Sequence, residues 1–127
     1  MSMNMGMMVN LTQHPASREQ LDVGVVDLDP ESREALVELL TFGEPPSTLE
    51  IEARVKRVIS LATHVNCQSA MICGAPWLMA PLIKGLIRAG IRPLFAFSVR
   101  ESSETTLPDG SVKKIPLFKH RGWVEGV

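Results

Sequence analysis

The stretch from Ala70 to Leu78 constrains the fold most strongly, because it changes from a buried-strand pattern to a helical pattern within a few residues. Its apolar run ends at Gly74, and helical spacing of apolar residues begins at Pro76. A helix that starts just after a strand points free N–H groups and the positive end of its dipole at the carboxyl edge of the sheet. Open α/β sheets bind ligands at this edge. The stretch therefore predicts a parallel sheet with a ligand crevice beside Gly74, Ala75 and Pro76.

The composition predicts one globular domain over residues 1–127. Hydrophobic residues make up 45% of the chain and charged residues 21%, which suits a folded protein with a buried core. No apolar run approaches the roughly 20 residues of a membrane span, and the start lacks a secretory signal pattern. We therefore expect a cytoplasmic protein. The net charge of −1 argues against a duplex nucleic-acid partner but allows a small anionic ligand.

Apolar runs and capping patterns predict alternating strands and helices. Ser17 with Gln20 and Ser47 with Glu50 have the spacing of capping boxes, which start helices. Asp29-Pro30 has the order of an N-cap followed by a proline in the first turn. Besides the strand before Gly74, the predicted strands are Met5–Leu11, Val23–Leu28 and Arg92–Val99, and the predicted longer helices are Pro30 to about Thr41, Ser47 to about His64, and Pro76 to about Ala89.

The C-terminal part has a different pattern. Pro108-Asp109-Gly110 predicts a hairpin between residues 104–107 and 112–118, and residues 122–125 predict a last strand. Together these elements predict a three-layer Rossmann-like α/β domain with a mostly parallel sheet and a hairpin arm over about residues 100–127. The helix after Pro76 is apolar around more than one stripe, so it needs cover from the sheet and from either a neighbouring helix or a second subunit.

Three stretches that are distant in sequence should meet at the carboxyl edge of a parallel sheet: residues 10–14, 74–76 and 98–102. His14 is a candidate general acid or base, because its ordinary pKa lies near neutrality. The alternative is that it caps the end of its strand. Arg100 is a candidate phosphate clamp. The alternative is an ion pair with Glu101 or Glu104 at the rim.

The remaining candidate ligand contacts are polar residues in the same stretches. Hydroxyl groups at strand ends can donate to phosphate, although they commonly cap turns instead. His120 and Lys119 follow the hairpin and are either solvated edge residues or contacts to a site in another subunit. Besides residues 74–76, the predicted ligand-binding residues are Asn10, Thr12, Gln13, Ser98, Glu101 and Ser102.

No metal site or cofactor is predicted. The three histidines, at positions 14, 64 and 120, have no ligand spacing. Cys67 and Cys73 match neither a metal motif nor a disulfide framework, and Cys73 is predicted to be a small core residue. A hydrolase triad is disfavoured because the sequence has no G-x-S-x-G motif.

The segment Asn10-Leu-Thr-Gln-His-Pro-Ala-Ser-Arg-Glu-Gln20 resembles the opening of small CRISPR-associated Rossmann-like proteins. In that group a first strand ends in a polar stretch with a histidine, followed by a Thr/Ser-x-x-Gln helix start. The chain length and the later strand-Gly-helix are also similar. The group is linked to type III systems and includes ring nucleases that bind and cleave cyclic oligoadenylate, commonly as dimers.

The resemblance implies that His14 and its neighbours lie near a small nucleotide ligand, and that the protein acts as a homodimer. The leading hypothesis is a metal-independent phosphodiesterase that cleaves a cyclic oligoadenylate, with His14 and Arg100 as catalytic residues. A nucleotide sensor without catalytic activity would use the same site. The third hypothesis is a dimeric structural or interaction module, for which the apolar helix after Pro76 would supply an association surface.

Overall fold

The computed structural model describes residues 6–127 as a mixed α/β fold. The predicted start of the first strand at Met5 lies outside the described residues. In chain order, the elements are β1 (Met8–Leu11), α1 (Arg18–Asp22), β2 (Val25–Asp27), α2 (Pro30–Leu40), α3 (Thr48–His64), β3 (Ser69–Ile72), α4 (Pro76–Arg88), β4 (Arg92–Thr106) and β5 (Val112–Glu125).

The strands form one five-stranded sheet in the order β2-β1-β3-β4-β5. The first four strands in this order are parallel, and β5 runs antiparallel to β4. The mostly parallel sheet with a C-terminal hairpin is therefore confirmed. The chain places β2 on one side of β1 and β3 on the other, so the direction of strand addition reverses between β1 and β3.

Local capping signals placed the helix starts correctly. The Ser17 side chain accepts a hydrogen bond from the backbone of Gln20, and the Gln20 side chain accepts one from the backbone of Ser17. Ser47 accepts a hydrogen bond from the backbone N–H of Glu50 at the start of α3. Pro30 is the first residue of α2. The N–H groups of the first helical turn have no partner within the helix, so the missing N–H of proline costs no hydrogen bond there.

One face of the sheet carries the main core. Val9 and Leu11 of β1 and Ile72 of β3 point to this face, where they pack with buried side chains of α2, α3 and α4. Helix α4 contacts both β4 and α3, and Leu82 and Leu86 are fully buried. The apolar surface of α4 that does not face the sheet is therefore packed against a neighbouring helix, α3.

The opposite face is covered differently. Met8, Met71 and Leu94 form a small cluster there with Val25, and Trp123 of β5 packs against it. Helix α1 has five residues and buries none of them. The second helical layer of the predicted three-layer arrangement is thus limited to a short helix that leaves much of this face to β5.

Beyond the sheet, β4 and β5 continue as a two-stranded arm, defined here as residues 98–106 paired with 112–120. Strand β4 pairs with β3 only from Arg92 to Leu94. The prediction of a buried strand as far as Val99 is wrong, because Phe97 is 51% exposed. The sequence predicted two separate strands, at residues 112–118 and 122–125. They form one continuous strand, β5, with a register shift opposite Phe97 and Ser98.

The arm ends in the predicted turn. The Asp109 carboxylate accepts hydrogen bonds from the backbone N–H and the hydroxyl of Ser111, which lower the pKa of Asp109. Gly110 has a φ of +85°, a conformation that glycine adopts without steric cost.

The two cysteines lie in different environments. Cys73 is exposed just beyond β3, so its assignment to the core is wrong, while Cys67 is buried and burial raises the pKa of its thiol.

Within residues 6–127, no helix has the length and apolar character needed to cross a bilayer.

Gly85 lets α3 and α4 approach closely, and its replacement gives the first prediction. A Cβ atom at Gly85 would lie 2.2 Å from Cδ1 of Ile59 and 3.5 Å from Cγ1 of Val55. We expect Gly85→Val to lower the free energy of unfolding by about 1–3 kcal/mol through overpacking. Chemical denaturation measures this change. The matched control is Gly43→Val, because no atom lies within 4 Å of a Cβ at Gly43. Equal losses in the two variants would contradict close helix packing at Gly85.

Candidate functional site

The end of β1 is organised by the side chain of Asn10, which is fully buried. Its Nδ2 donates to the backbone oxygen of His14 at 2.7 Å and to Oδ1 of Asp27 at 2.8 Å. Its Oδ1 accepts from the backbone N–H of Thr12 at 2.8 Å and from the Thr12 hydroxyl at 2.7 Å. Asn10 and Thr12, which were predicted to contact ligand, therefore use these groups to shape the loop after β1.

Asp27 and Arg33 complete this arrangement. Asp27 lies beside Asn10 in the register of β1 and β2, and its Oδ1 accepts a hydrogen bond from the backbone N–H of Ala16 at 3.1 Å. The Arg33 guanidinium lies 3.7 Å from the Asp27 carboxylate and donates to the backbone oxygen of Gln13 at 3.5 Å. The sequence analysis missed both residues, although an acid that ends an apolar strand is a signal for such a role.

The loop after β1 presents His14 to solvent. The Gln13 amide donates to the Thr41 hydroxyl at 3.1 Å, which ties the loop to the end of α2. His14 is exposed, and within residues 6–127 its imidazole makes no hydrogen bond or ion pair. The backbone oxygen of His14 is held by Asn10 and Thr12. The backbone is therefore fixed while the imidazole remains free to meet a ligand.

The turn between β3 and α4 has few available donors. The carbonyl of Ala75 accepts from the N–H groups of Leu78 and Met79, both at 3.0 Å, and Pro76 has no N–H. A Cβ atom on Gly74 would lie 3.2 Å from Cε of Met79, and the backbone of Gly74 does not have a positive φ. Close packing of α4 against the turn therefore explains the glycine.

The arm separates the predicted residues of β4 by alternation. Ser98, Arg100 and Ser102 point to the same side of the arm as α1, and Glu101 points to the other side. Glu101 accepts a hydrogen bond from Arg121 at 2.7 Å and lies 3.9 Å from the Lys119 ammonium group. Its expected partner, Arg100, is exposed and makes no ion pair within residues 6–127.

A cavity of about 440 Å³ lies between the start of α1 and the base of the arm. We call it the arm-base pocket. It has a polar wall from the loop and first turn of α1, and an aromatic wall from β5. Its lining residues are Ser17, Arg18, Glu19, Gln20, Ser98, Phe118 and His120.

His120 connects the two walls of the arm-base pocket. Its backbone N–H donates to the Glu19 carboxylate at 3.0 Å, and its ring lies edge-on to Trp123 with the ring centroids 4.7 Å apart. The ring nitrogen Nδ1 is buried and has no hydrogen-bond partner among the described residues. A buried polar atom without a partner costs free energy unless a ligand or water satisfies it.

The structure brings together only part of the predicted site. Ser98 lines the arm-base pocket, and His14 lies three residues before Ser17 in the loop that leads to it. The sequence analysis did not place Arg18, Glu19 or Phe118 in a site. Counting strand pairs back from the Asp109-Gly110 turn would have placed His120 opposite Ser98, which is the observed register.

Another apolar groove lies at the carboxyl edge near the start of α4. Its volume is about 370 Å³, and Phe42 and Trp77 form its aromatic wall with the ring centroids 5.6 Å apart. Pro45, Pro46 and Glu44 line the rest. Its lining is mostly apolar, so it lacks the polar groups that orient a small polar ligand.

No group of three or more His, Cys, Asp or Glu side chains suited to a metal ion occurs within residues 6–127.

A protein-family model described as "Uncharacterized protein MJ1673 family" matches residues 6–124. The chain belongs to this family. The match spans every strand and helix described above except the last residue of β5, so the arm is part of the family's domain. No curated protein and no solved structure matches the chain.

Removal of the Asn10 amide tests whether it organises the site. We expect Asn10→Ala to lower the free energy of unfolding by about 2–4 kcal/mol, because it removes four hydrogen bonds to partly buried groups of Thr12, His14 and Asp27. Gln13→Ala is the control, since Gln13 is exposed and loses one bond to Thr41; its expected cost is below about 1 kcal/mol. Thermal and chemical unfolding measure both values, and a cost for Asn10→Ala no greater than for Gln13→Ala would refute this role.

Proposed function

We propose that the protein binds a small nucleotide, of the cyclic oligoadenylate class, in the arm-base pocket. The observation that carries the proposal is the pocket itself, which combines aromatic rings, an arginine and a buried ring nitrogen without a partner. Its volume of about 440 Å³ suits one nucleotide unit of such a ring, and the other units would lie outside the pocket. Aromatic walls suit a nucleobase, and guanidinium groups suit phosphate.

Each wall of the pocket contributes a different contact. Phe118 is 72% exposed and offers its ring face for stacking. Arg18 lines the pocket, and Arg100 points to the same side of the arm as Phe118. Two guanidinium groups are therefore available to the phosphate groups of a bound nucleotide. Nδ1 of His120 supplies a group that can exchange a hydrogen bond with a base edge. These contacts would recognise a nucleotide without a metal ion.

The fold is proposed to be Rossmann-like. The support is the strand order, which reverses between β1 and β3 as in doubly wound sheets. Ligands of such sheets bind at the carboxyl ends of the strands, and the loop that carries His14 leaves the carboxyl end of β1. The antiparallel arm would then extend this edge beyond β4 and close one side of the ligand site.

Metal-independent cleavage of the bound ring is the second candidate function. Its support is His14, whose imidazole is exposed and free of hydrogen bonds within the described residues. In the proposed step, the substrate's 2′-oxygen bonds to phosphorus while the bond from phosphorus to the 5′-oxygen breaks. His14 accepts the proton of the 2′-hydroxyl, the 5′-oxygen leaves and takes a proton from water, and a 2′,3′-cyclic phosphate remains. Arg100 would stabilise charge on the phosphate oxygens.

Calorimetric titration with cyclic tetra-adenylate tests binding. We expect Phe118→Ala to weaken binding about 10- to 100-fold, because stacking of one base on an aromatic ring contributes about 1–3 kcal/mol. Phe97→Ala is the matched control, since Phe97 is 51% exposed at the base of the arm but does not line the pocket. Equal affinities for the two variants, or no binding by the unaltered protein, would exclude a nucleotide site at Phe118.

Product analysis separates the sensor from the nuclease. Cyclic tetra-adenylate is incubated with the protein in EDTA and the products are resolved by chromatography. A nuclease gives linear products with a terminal 2′,3′-cyclic phosphate, and His14→Ala should abolish them while binding persists. Ligand that is bound but stays intact would identify the sensor and contradict cleavage.

A further inference from the structure

We infer that the protein has a second ligand site, for a guanine nucleoside, in a cavity at the amino ends of the parallel strands. The cavity has a volume of about 690 Å³, which lies in the usual range for small-molecule sites. We call it the Ser69 cavity; the residues that matter for binding are Met8, Ser69, Arg92, Leu94, Trp123 and Glu125. This inference goes beyond the nucleotide proposal, because it concerns a different cavity and a different base.

The short helix α1 leaves room for this cavity. The helix has five residues and ends at Asp22, and the chain then turns at Gly24, which has a φ of +102°, into β2. The face of the sheet between this turn and β5 is therefore open, and the Ser69 cavity occupies it. The arm-base pocket lies at the start of α1 and the Ser69 cavity beyond its end, so the two cavities are separate.

A buried hydroxyl lies in the floor of the cavity. Ser69 is 6% exposed, and within residues 6–127 its hydroxyl makes no hydrogen bond. In the register of the sheet Ser69 lies between Met8 and Arg92, whereas the next residue, Ala70, packs in the main core on the other face. A hydroxyl that is removed from water without a partner costs free energy. A polar ligand that reaches the floor of the cavity would remove this cost.

Arg92 and Glu125 form an ion pair at the rim of the cavity. Nε of Arg92 donates to one carboxylate oxygen of Glu125. The terminal guanidinium nitrogens and the second carboxylate oxygen make no hydrogen bond to any residue of the described range 6–127. The hydrogen bond from Arg92 and its charge lower the pKa of Glu125, so this carboxylate is ionised at neutral pH and only accepts. The rim therefore presents donors directly beside acceptors.

This arrangement favours a neutral, flat ligand. An isolated anion would be attracted by Arg92 but repelled by the adjacent Glu125, so the pair offers it little net attraction. The indole of Trp123, with Met8 and Leu94, supplies apolar surface for a ring. A neutral heterocycle that carries donors next to an acceptor satisfies both members of the ion pair and covers the apolar floor.

Among the purines, guanine matches the rim best. One edge of guanine carries the acceptor O6 next to two donors, the ring N1–H and the exocyclic amino group. Arg92 can donate to O6 while the free oxygen of Glu125 accepts from the neighbouring N–H groups. Adenine has only one donor group on the same edge, so it leaves Glu125 with fewer hydrogen bonds. The Ser69 hydroxyl both donates and accepts, and so can bond to a ring nitrogen or a ribose hydroxyl.

Calorimetric titration of the full chain with guanosine tests the inference. We expect saturable binding, and Glu125→Gln should weaken it about 10- to 100-fold, because a neutral amide cannot accept from both N–H groups of the base. Glu50→Gln is the matched control, since Glu50 is also an exposed acid paired with an arginine, at 2.8 Å, but lies on α3 away from the cavity. Adenosine should bind severalfold more weakly than guanosine. No binding of guanosine, equal effects of the two variants, or adenosine bound as tightly as guanosine would overturn the inference.

Ser69→Ala separates a ligand contact from a structural role. Because the hydroxyl has no partner within the described residues, its removal should not lower the free energy of unfolding, yet it should weaken guanosine binding severalfold. Chemical denaturation and calorimetry measure the two effects. Either a lower free energy of unfolding or an unchanged affinity would contradict a ligand contact at Ser69.

Amide shift changes in NMR spectra locate the bound guanosine. We expect the largest changes at residues 68–71, 92–94 and 123–125. Changes centred on residues 17–20 and 118–120 would place guanosine in the arm-base pocket and overturn a second site. The guanosine and cyclic tetra-adenylate titrations use different ligands and different variants, so failure of one leaves the other proposal standing.

Discussion

The buried amide of Asn10 is the interaction on which the carboxyl edge of the sheet depends. Asn10 lies in β1, which stands between β2 and β3 in the sheet. Its amide hydrogen-bonds to Asp27 of β2 and to the loop after β1. An amide in this position must satisfy two donors and an oxygen acceptor, because unsatisfied polar groups are costly in a core. The loop takes the conformation that meets this requirement, and in that conformation His14 is exposed. One buried side chain thus determines which neighbouring residue is exposed to solvent.

The arm gives the molecule its second organising feature. Strand β4 pairs with β3 only over its first three residues, Arg92–Leu94, so the arm extends beyond the sheet, and it carries two different faces. One face meets α1 and encloses the arm-base pocket, and the other exposes aliphatic side chains. Alternation along a strand allows adjacent residues such as Leu117 and Phe118 to serve different purposes. In the proposed function, the face towards α1 binds the nucleotide.

Local signals in the sequence predicted most of the elements. Ser17 with Gln20 and the Asp109-Gly110 turn act through contacts within a few residues, so their patterns are readable without a structure. The apolar run from Arg92 to Val99 did not show that β4 leaves the sheet after Leu94, because periodicity cannot distinguish a buried strand from an uncovered arm. The exposed position of Cys73 depends in the same way on where β3 ends.

The site was harder to predict than the fold because its residues come from separate parts of the chain. Asn10 and Thr12 were identified as polar strand-end residues, but only the tertiary structure shows that they bond to each other and to the loop. His120 is brought to Ser98 by the register of the arm and to Glu19 by the packing of α1, a contact over 101 residues of sequence. The pocket on which the nucleotide proposal depends is therefore encoded by no single motif.

The most direct test of the central claim is an NMR titration of the backbone amides with cyclic tetra-adenylate. The account predicts that the largest shift changes occur at residues 17–20, at Ser98 and at residues 118–120, with smaller changes in the loop of His14. Changes concentrated instead around Phe42 and Trp77, or no changes at saturating ligand, would contradict a nucleotide site at the base of the arm.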